Sequence, residues 1–368
     1  MSIGVVTDER EELVRTVRGF AVERASLAST REGLERDAPY DEDVWRLMGE
    51  QLGLPGIAVP EEHGGAGFGY GELGAVLEEL GRLLVPSPLF ATAALALPAL
   101  LESRDETAID EHVPALAAGA KTATLAWVEM DGGWEGGTTT AAADGSVLRG
   151  EKRYVLDGAT ADLLLVLAGS PDGPSLYAVD ADAEGVEATR VPTFDQTRSL
   201  ARVRFDGAPA QLVGEAGRGA EIVSAALDRA AVLLASEQVG GAQACLDMAV
   251  EYAKQREQFG RPIGSFQAVK HKCAEVLVDV EGARSAAYYG CWAASENPDE
   301  LPLVSCVAKA TASEAFFHAA AENVHIHGGI GVTWEHDAHL YLKRAKTGSI
   351  LLGDPTFHRL RLADRLGL

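Results

Sequence analysis

Two stretches in the C-terminal third of the chain combine residue types that suit a phosphate-bearing ligand. The first, residues 252–267, reads YAKQREQFGRPIGSFQ and runs from the end of one predicted helix into the next. Arg256 and Gln267 fall at those helix edges, where a guanidinium and main-chain N–H groups can bind a phosphate. The second, residues 324–335, reads VHIHGGIGVTWE and puts a glycine-rich turn between two helices. Such a turn more often only connects helices, so the cofactor prediction depends on both stretches together.

The composition is that of a globular chain large enough for two or three domains. It has 368 residues, 47% of them hydrophobic, and a mean hydropathy of +0.01. No apolar run matches a membrane span, and the first residues lack the pattern of a secretory signal. The net charge of −23 argues against binding nucleic acid or anionic membranes. A cytoplasmic location with free thiols is expected, because no CxxC pair occurs among Cys245, Cys273, Cys291 and Cys306.

The hydrophobic period changes twice along the chain and predicts an α+β fold. Helical spacing covers about residues 6–52, 71–84 and 91–101, and it returns from 219 to the end. Between about 118 and 217 the period is two. The predicted domains are a helical N-terminal domain at 1–117, a β-barrel or sandwich at 118–217 and a four-helix bundle at 218–368. The predicted strands are 122–129, 146–155, 162–168, 175–179, 186–191 and 201–205.

Three motifs together resemble the acyl-CoA dehydrogenase family of flavoenzymes over nearly the whole chain. They are LPGIAVPEEHGGAG at 54–67, REQFG at 256–260 followed by Gln267, and HGGIG at 327–331. The resemblance implies the same order of domains, with FAD between the β domain and the bundle and a neighbouring subunit covering its diphosphate and adenosine. It also implies that a carboxylate removes the α-proton of an acyl-CoA while the β-hydrogen leaves as hydride. In that family the loop before Gly71 helps to enclose the active site; here a plain interhelix loop is the alternative.

The residue that would remove the α-proton is the main departure from the family pattern. The family's usual glutamate precedes a glycine in the turn before the last helix, and here that position is Leu352, which cannot accept a proton. Other members carry the carboxylate on an earlier helix directly before an arginine, which matches Asp228 and Arg229. Asp228 is one methylene shorter than glutamate, and an ordinary helix carboxylate is the alternative. Asp354 is a further candidate, although its position before Pro355 favours a helix N-cap.

Several positions match the family residues that contact the flavin. On this resemblance Arg256, Phe259 and Gln267 would bind the diphosphate and adenosine side of FAD, and Gly328 and Gly329 would form the glycine-rich turn. The residue two before the histidine of that turn is usually glutamine in the family, and His325 stands there. A histidine can still donate or accept a hydrogen bond, but its reach differs. The alternative for Arg256 is a helix-end arginine that pairs with one of the many carboxylates.

The β domain matches the family's flavin contacts least well. The family's Thr-Glu-Pro-x-x-Gly-Ser segment corresponds to residues 127–134, in which Glu129 and a glycine persist. The later Trp-x-Thr becomes Tyr154-Val-Leu156, so Tyr154 can stack on a ring while Leu156 cannot donate a hydrogen bond. Glu129 and Tyr154 are therefore the predicted contacts from this domain. Packing inside the β domain is the alternative for Tyr154 and for the two tryptophans of the segment.

The histidines that follow the glycine-rich turn do not indicate a metal site. His336 and His339 have i, i+3 spacing with Asp337 between them, and His327 precedes them. No CxxC or HExxH motif accompanies this group, and such motifs are what makes a zinc prediction specific. Contacts between helices or subunits are the expected role of Glu335 and its neighbours.

These observations leave four functions open. The first is one chain of an FAD-linked heterotetramer acting on an acyl-CoA, in which a partner supplies the full base and ring contacts, as in members that break down sterol side chains. The second is a homotetramer with Asp228 as base. The third is a flavin oxidase or monooxygenase on the same fold, and the fourth is a non-catalytic partner. The dehydrogenase functions also imply an electron acceptor, an electron-transfer flavoprotein or a similar protein.

Overall fold

A computed structural model describes residues 8–35, 38–130, 133–135 and 139–368. The chain divides into two compact units. The first, here called the helical unit, takes in the described residues of Met1–Thr30, together with Tyr70–Val85 and Ala231–Leu368. The second, called the sheet unit, takes in the described residues of Arg31–Gly69 and Pro86–Ala230.

The N-terminal third is helical, as its periodicity predicts. Aspartate side chains cap two of the helices: Asp41 accepts from the Val44 N–H at 3.1 Å, and Asp105 accepts from the Thr107 N–H at 3.1 Å. A π-helical segment, Phe90–Ala96, runs directly into a further helix. The last helix of this part, with Pro114 inside it, was not among the predicted elements. The helices are α1 Asp8–Arg24, α2 Leu27–Glu35, α3 Glu42–Glu50, α4 Tyr70–Arg82, α5 Leu97–Ser103 and α6 Glu106–Ala117.

The sheet unit contains one eight-stranded mixed sheet. The strands are β1 Ala123–Ala126, β2 Ala142–Asp144, β3 Val147–Leu156, β4 Leu163–Ser170, β5 Gly173–Asp180, β6 Val186–Val191, β7 Leu200–Pro209 and β8 Gln211–Val213. The strand order is β6-β7-β3-β2-β4-β5-β8, and β1 pairs in parallel with β4. β2 and β8 have three residues each, too few to give a readable alternation, and they were not predicted.

A β-bulge in β3 changes which residues face the core. Lys152 pairs with Val203 and Val155 with Ala201, so two residues of β3 lie opposite one residue of β7. Tyr154 lies in this bulge with a positive φ of 53°. The alternation is thereby shifted, which buries both Lys152 and Val155 and leaves Tyr154 46% exposed.

The C-terminal part is helical from Gly219 onward. The elements are α7 Gly219–Gln255, β9 Glu257–Gln258, β10 Arg261–Pro262, α8 Gln267–Glu296, α9 Leu301–His327, α10 Ala338–Ile350 and α11 Pro355–Leu366. A two-stranded hairpin of β9 and β10 follows the long helix α7. Residues 297–300 connect α8 to α9, and Pro302 lies in the first turn of α9.

No helix in the described part of the chain is long and apolar enough to cross a membrane. The three predicted domains, 1–117, 118–217 and 218–368, stay a prediction, because the division into two compact units follows packing and α7 contributes to both units.

Candidate active site

The hairpin after α7 exposes the predicted phosphate-binding arginine. Phe259 and Gly260 have φ angles of 55° and 76°, the two positive values of a type I′ turn. The main-chain carbonyl of Arg256 accepts from the Ile263 N–H at 2.8 Å, which closes the base of the hairpin. The guanidinium of Arg256 is exposed and makes no hydrogen bond or ion pair with another described residue. It is therefore available to an anion, unlike an arginine that pairs with a helix carboxylate.

Gln267 is the first residue of α8, and a 3-10 turn, Ile263–Ser265, separates the hairpin from this helix. Its side chain is exposed, and Phe266 in the N-cap position supplies no side-chain acceptor. The Phe266 side chain therefore does not cap the first main-chain N–H groups of this 30-residue helix. Phe259 is 92% exposed, and its ring lies edge-on to that of Phe266 with centroids 6.2 Å apart. Residues 256–267 of the helical unit thus combine an exposed aromatic ring, an exposed guanidinium and a helix N-terminus.

The glycine-rich turn has room beside it. Gly328 ends α9 with φ 66° and ψ −143°, a conformation essentially limited to glycine. A Cβ at Gly329 would meet nothing within 4 Å, and its φ is not in the positive region. The backbone conformation therefore explains why residue 328 is a glycine. It does not explain the glycine at 329, whereas the close approach of a ligand would explain it. Gly331 differs from both, because a Cβ there would lie 3.1 Å from the Cβ of His327.

A stack of rings connects this turn to the end of α7. The ring of His327 lies 4.2 Å from that of Tyr252 and 4.2 Å from that of His336, centroid to centroid. His327 Nδ1–H donates to the Asn323 carbonyl at 2.8 Å, and burial lowers the pKa of His327. The stacked ring is part of the packing that supports the turn.

His325, predicted as a flavin contact, is exposed and points toward a carboxylate. Its Nδ1 lies 3.4 Å from Glu322 Oε1. Glu322 also accepts from Lys272 Nζ. Burial would raise the pKa of Glu322, but the hydrogen bonds from Lys272 and His325 outweigh it, and the pKa is lowered. A flavin contact by His325 stays a prediction.

The turn at the position of the family's glutamate is buried and strained. Leu352 is 4% exposed and has φ 63°, a left-handed conformation that is rare for leucine. Among the described residues, its N–H donates no hydrogen bond. Asp354 accepts from the Phe357 N–H at 2.8 Å, which confirms its predicted role as the N-cap of α11. The Asp354 carboxylate is thus committed to the helix.

Asp228 and Arg229 lie in the part of α7 that belongs to the sheet unit. Asp228 is 4% exposed. Arg229 Nη2 pairs with Glu102 Oε2 at 3.1 Å, and its Nη1 donates to the Ala225 carbonyl at 3.1 Å. The guanidinium thus connects α7 to α5. A catalytic role for Asp228 and Arg229 stays a prediction. The contacts of Arg229 stabilise the packing of α7 against α5.

Glu129 lies at the centre of a buried hydrogen-bond network. Its carboxylate accepts from Lys152 Nζ at 2.6 Å, from Thr139 Oγ1 at 2.5 Å and from the Ala141 N–H at 3.0 Å. Thr140 adds its N–H at 2.8 Å and its hydroxyl. Burial would raise the pKa of Glu129, but the hydrogen bonds from Lys152, Thr139 and Thr140 lower it to about 2. The side chain therefore joins residue 129 to residues 139–141, and a flavin contact by Glu129 stays a prediction.

The other predicted contact of the β domain is placed differently. The bulge in β3 directs the half-exposed Tyr154 away from the sheet core, so its ring is available for stacking. The rings of Trp127 and Trp134 lie 5.9 Å apart, and Trp127 Nε1 donates to the Trp134 carbonyl, as packing within the domain predicts. Asp131 and Gly132 of the same segment lie outside the described residues. A flavin contact by Tyr154 stays a prediction.

Two buried lysines escaped the sequence prediction although the sequence carries a signal for each. Lys152 stands four residues after Leu148 in β3, so the period of two places it on the buried face. Lys309 stands four residues after Ser305 and seven before Phe316, on the buried face of α9. Each is a cation in a position that the periodicity assigns to the core.

A helical part, a β part and a second helical part, with the elements described above, are those of a flavin-dependent oxidoreductase. Comparisons with known proteins agree with this class. Residues 7–120 match the family model described as acyl-CoA dehydrogenase, N-terminal domain, and residues 217–367 match that of the C-terminal domain. The chain is 38% identical to Acyl-CoA dehydrogenase IpdE2 of Mycobacterium tuberculosis over 95% of its own length and 94% of the relative's.

Two solved structures are similar over nearly all of both chains. One is the ChsE4-ChsE5 complex from Mycobacterium tuberculosis, with TM-score 0.90 and 29% identity, covering 100% of this chain and 99% of the other. The second is the Tcur3481-Tcur3483 steroid ACAD, with TM-score 0.87 and 33% identity, covering 98% of each chain. The chain belongs to the acyl-CoA dehydrogenase family, as the sequence motifs predict.

Proposed function

We propose that this chain is a subunit of an FAD-dependent dehydrogenase that introduces an α,β double bond into an acyl-CoA thioester, together with a second, homologous chain in a heterotetramer. The observation that carries this proposal is the combination of Leu352 at the position of the family's base with an intact, exposed Arg256. The chain keeps what holds the cofactor and lacks the usual group that removes the proton. Transfer of electrons to an electron-transfer flavoprotein or a similar acceptor would complete the cycle.

The helical unit offers residues that fit the phosphate end of FAD. Among the described residues the Arg256 guanidinium has no hydrogen-bond or ion-pair partner. Gln267 has an exposed amide at a helix N-terminus, and Gly329 has open space in front of its Cα. Phe259 could cover an adenine ring, since it is almost fully exposed. Gly328 would add main-chain polar groups from the turn. When bound, FAD supplies the acceptor for the hydride that leaves the β-carbon.

The proton at the α-carbon needs both a base and a polarised thioester carbonyl, because it is only weakly acidic. The buried Leu352 N–H has no acceptor of its own among the described residues, and a thioester carbonyl would satisfy it. Asp228 is the carboxylate of this chain that the family pattern places for proton removal. The pairing of Arg229 with Glu102 would keep its segment of α7 in place.

The partner chain is supported by three features. Leu352 cannot act as a base, Leu156 cannot donate a hydrogen bond to a ring, and the carboxylate of Glu129 is occupied by Lys152. A second chain would then supply what is missing. Two of the similar structures are named for pairs of chains, ChsE4-ChsE5 and Tcur3481-Tcur3483, and the latter is described as a steroid ACAD. On this basis a bulky acyl-CoA ester is the proposed substrate.

The first experiment measures flavin bound per chain after purification of the chain alone and after co-expression with any dehydrogenase-like gene found beside its own. Flavin that appears only in the complex supports the shared site. Arg256→Met and Gly329→Ala should each reduce the bound flavin without lowering the unfolding temperature of the apoprotein. In the described part of the chain the Arg256 guanidinium makes no hydrogen bond or ion pair, and a Cβ at Gly329 would meet nothing within 4 Å. Unchanged flavin content in both variants would contradict the assignment of these elements.

A second experiment separates the two sources of the base. Asp228→Asn in the flavin-loaded complex should abolish reduction of the flavin by acyl-CoA under anaerobic conditions if Asp228 removes the proton. Activity within about threefold of wild type would move the base to the partner, since loss of a general base usually costs on the order of a hundredfold or more. Oxygen consumption in place of enoyl-CoA formation would favour the flavin oxidase alternative.

A further inference from the structure

Buried side chains hold three carbonyls at the turn between α10 and α11. Lys309 Nζ donates to the Gly353 carbonyl at 3.0 Å and to the Ser349 carbonyl at 3.4 Å. His358 Nε2–H donates to the Leu352 carbonyl at 3.0 Å. Lys309 comes from α9 and His358 from α11, so the turn is held from two helices. All of these residues lie in the helical unit.

Burying these groups is costly, so their presence needs an explanation. Lys309 is 0% exposed and His358 is 1% exposed. An ammonium group taken out of water is stabilised only by good hydrogen-bond partners, and a leucine or methionine would pack at lower cost. Lys309 also donates to Ser313 Oγ at 2.9 Å, and Ser313 exchanges hydrogen bonds with Gln238. A polar network of this size around one short turn indicates that the conformation of the turn matters.

The held turn is the one that contains the strained residue. Leu352 has φ 63° and Gly353 has φ 102°, and a leucine in the left-handed region would relax if nothing opposed it. Because each peptide unit is planar, fixing the Ser349 carbonyl on one side and the Leu352 and Gly353 carbonyls on the other restricts rotation of the peptide between Leu351 and Leu352. That peptide carries the N–H of Leu352.

We propose that Lys309 and His358 are positioning residues, which hold the 349–353 turn so that the Leu352 N–H points at the thioester carbonyl of the substrate. This inference rests on the proposed function, which places a thioester there. The turn lacks the family's glutamate, so the side chain at 352 cannot remove a proton. Its main-chain N–H would still polarise the thioester carbonyl of the substrate. A misaligned donor would weaken this effect strongly, since small displacements in an active site are costly.

The test uses acetoacetyl-CoA as a probe in the flavin-loaded protein, with its partner chain if one is required. This thioester ionises at its α-carbon to an enolate with strong near-ultraviolet absorption, and a hydrogen bond to the thioester carbonyl makes ionisation easier. The pH at which half of the bound probe is enolate therefore reports the donor directly, without turnover. Thermal unfolding and the affinity for the probe are measured on the same samples.

Four variants divide positioning from mere stability. Lys309→Met removes the ammonium and keeps the length of the side chain, and His358→Leu removes the donor to the Leu352 carbonyl. His358→Gln retains a donor, and Lys346→Met removes an exposed lysine of α10 as a control. Lys309→Met and His358→Leu should each raise the half-enolate pH by about one unit or more, a tenfold loss of stabilisation. His358→Gln and Lys346→Met should stay close to wild type.

Each result decides between stated alternatives. If Lys309→Met and His358→Leu unfold at lower temperature but keep the wild-type half-enolate pH, the network is structural only and the inference is wrong. If Lys309→Met does not fold, His358→Leu carries the test alone, because Lys309 stays in place. If the wild-type protein binds flavin but does not ease ionisation of the probe, the role proposed for the Leu352 N–H fails together with this inference. Failure to bind flavin or the probe at all would instead refute the proposed function.

Discussion

Replacing Glu129 by glutamine should destabilise the sheet unit strongly. Lys152, which donates to Glu129 at 2.6 Å, is 0% exposed and has no access to water. Glutamine removes the negative charge, so the buried ammonium keeps neutral acceptors such as the Trp127 carbonyl at 3.4 Å and the Thr139 hydroxyl at 2.9 Å but loses its carboxylate partner. Its NH2 group would also face the N–H groups of Thr140 and Ala141, which donate to the carboxylate in the wild type.

The expected loss is about 3–5 kcal/mol, the usual cost of removing one partner of a buried ion pair. For a unit of this size that corresponds to a fall in the unfolding temperature on the order of 10 °C. Lys152→Met should cost less, because the Glu129 carboxylate keeps its hydrogen bonds from Thr139, Thr140 and Ala141. The double variant, Glu129→Gln with Lys152→Met, should recover most of the loss, since no isolated charge is left in the core.

The assay is thermal unfolding followed by circular dichroism, with the two single variants and the double variant compared as a cycle. A matched control is Asp206→Asn, which breaks a solvent-exposed ion pair between β3 and β7. Arg149 Nη1 and Asp206 Oδ1 lie 3.0 Å apart at the surface, where ion pairs contribute little to stability. The unfolding temperature of this variant should therefore be close to that of the wild type. Single variants whose effects simply add in the double variant would refute the reasoning, because the energetic coupling is the content of the prediction.

The same pair sets the response to acid. Hydrogen bonds lower the pKa of Glu129 to about 2, against about 4.3 for an unfolded glutamate. A depressed carboxylate pKa stabilises the fold fully above the unfolded pKa and loses that contribution as the pH falls toward the folded pKa. The difference in stability between wild type and Glu129→Gln should therefore shrink between about pH 4.3 and 2. A constant difference across that range would show that Glu129 carries no such stabilisation.

Three further predictions concern other elements. Burial lowers the pKa of His358 to about 3, so the free energy of unfolding should fall as the pH drops below about 6.5, by about 2 kcal/mol at pH 5. His358→Gln should remove this pH dependence, which denaturant unfolding at pH 5 and pH 8 measures. Glu102→Gln breaks a half-buried pair with Arg229 and should cost on the order of 1 kcal/mol while leaving flavin reduction largely intact; complete loss of activity would give this pair a catalytic task. Gly328→Ala should cost about 1–3 kcal/mol because φ is 66°, whereas equal stability of Gly328→Ala and wild type would contradict the backbone argument.

Local sequence accounted for the elements whose causes are local. The cap at Asp354 follows from an aspartate before Pro355, and both are near neighbours of the N–H groups concerned. The hairpin around Phe259 and Gly260 was not predicted, because its two strands have only two residues each. Helix α6 and strands β2 and β8 were not predicted, because three-residue strands and a helix containing proline give weak periodic signals.

The family and its order of helical, β and helical parts were determined by the sequence, since motifs and periodicity are properties of neighbouring residues. The partners of the charged groups were decided only by tertiary structure. Arg229 is 127 positions from Glu102, and Lys152 is 23 positions from Glu129, and no local rule joins them. The same holds for Lys309, whose task is visible only once folding brings the carbonyls of a distant turn around its ammonium group. Burial turns these pairings into strong constraints, because a charge removed from water has to find its partner within the fold.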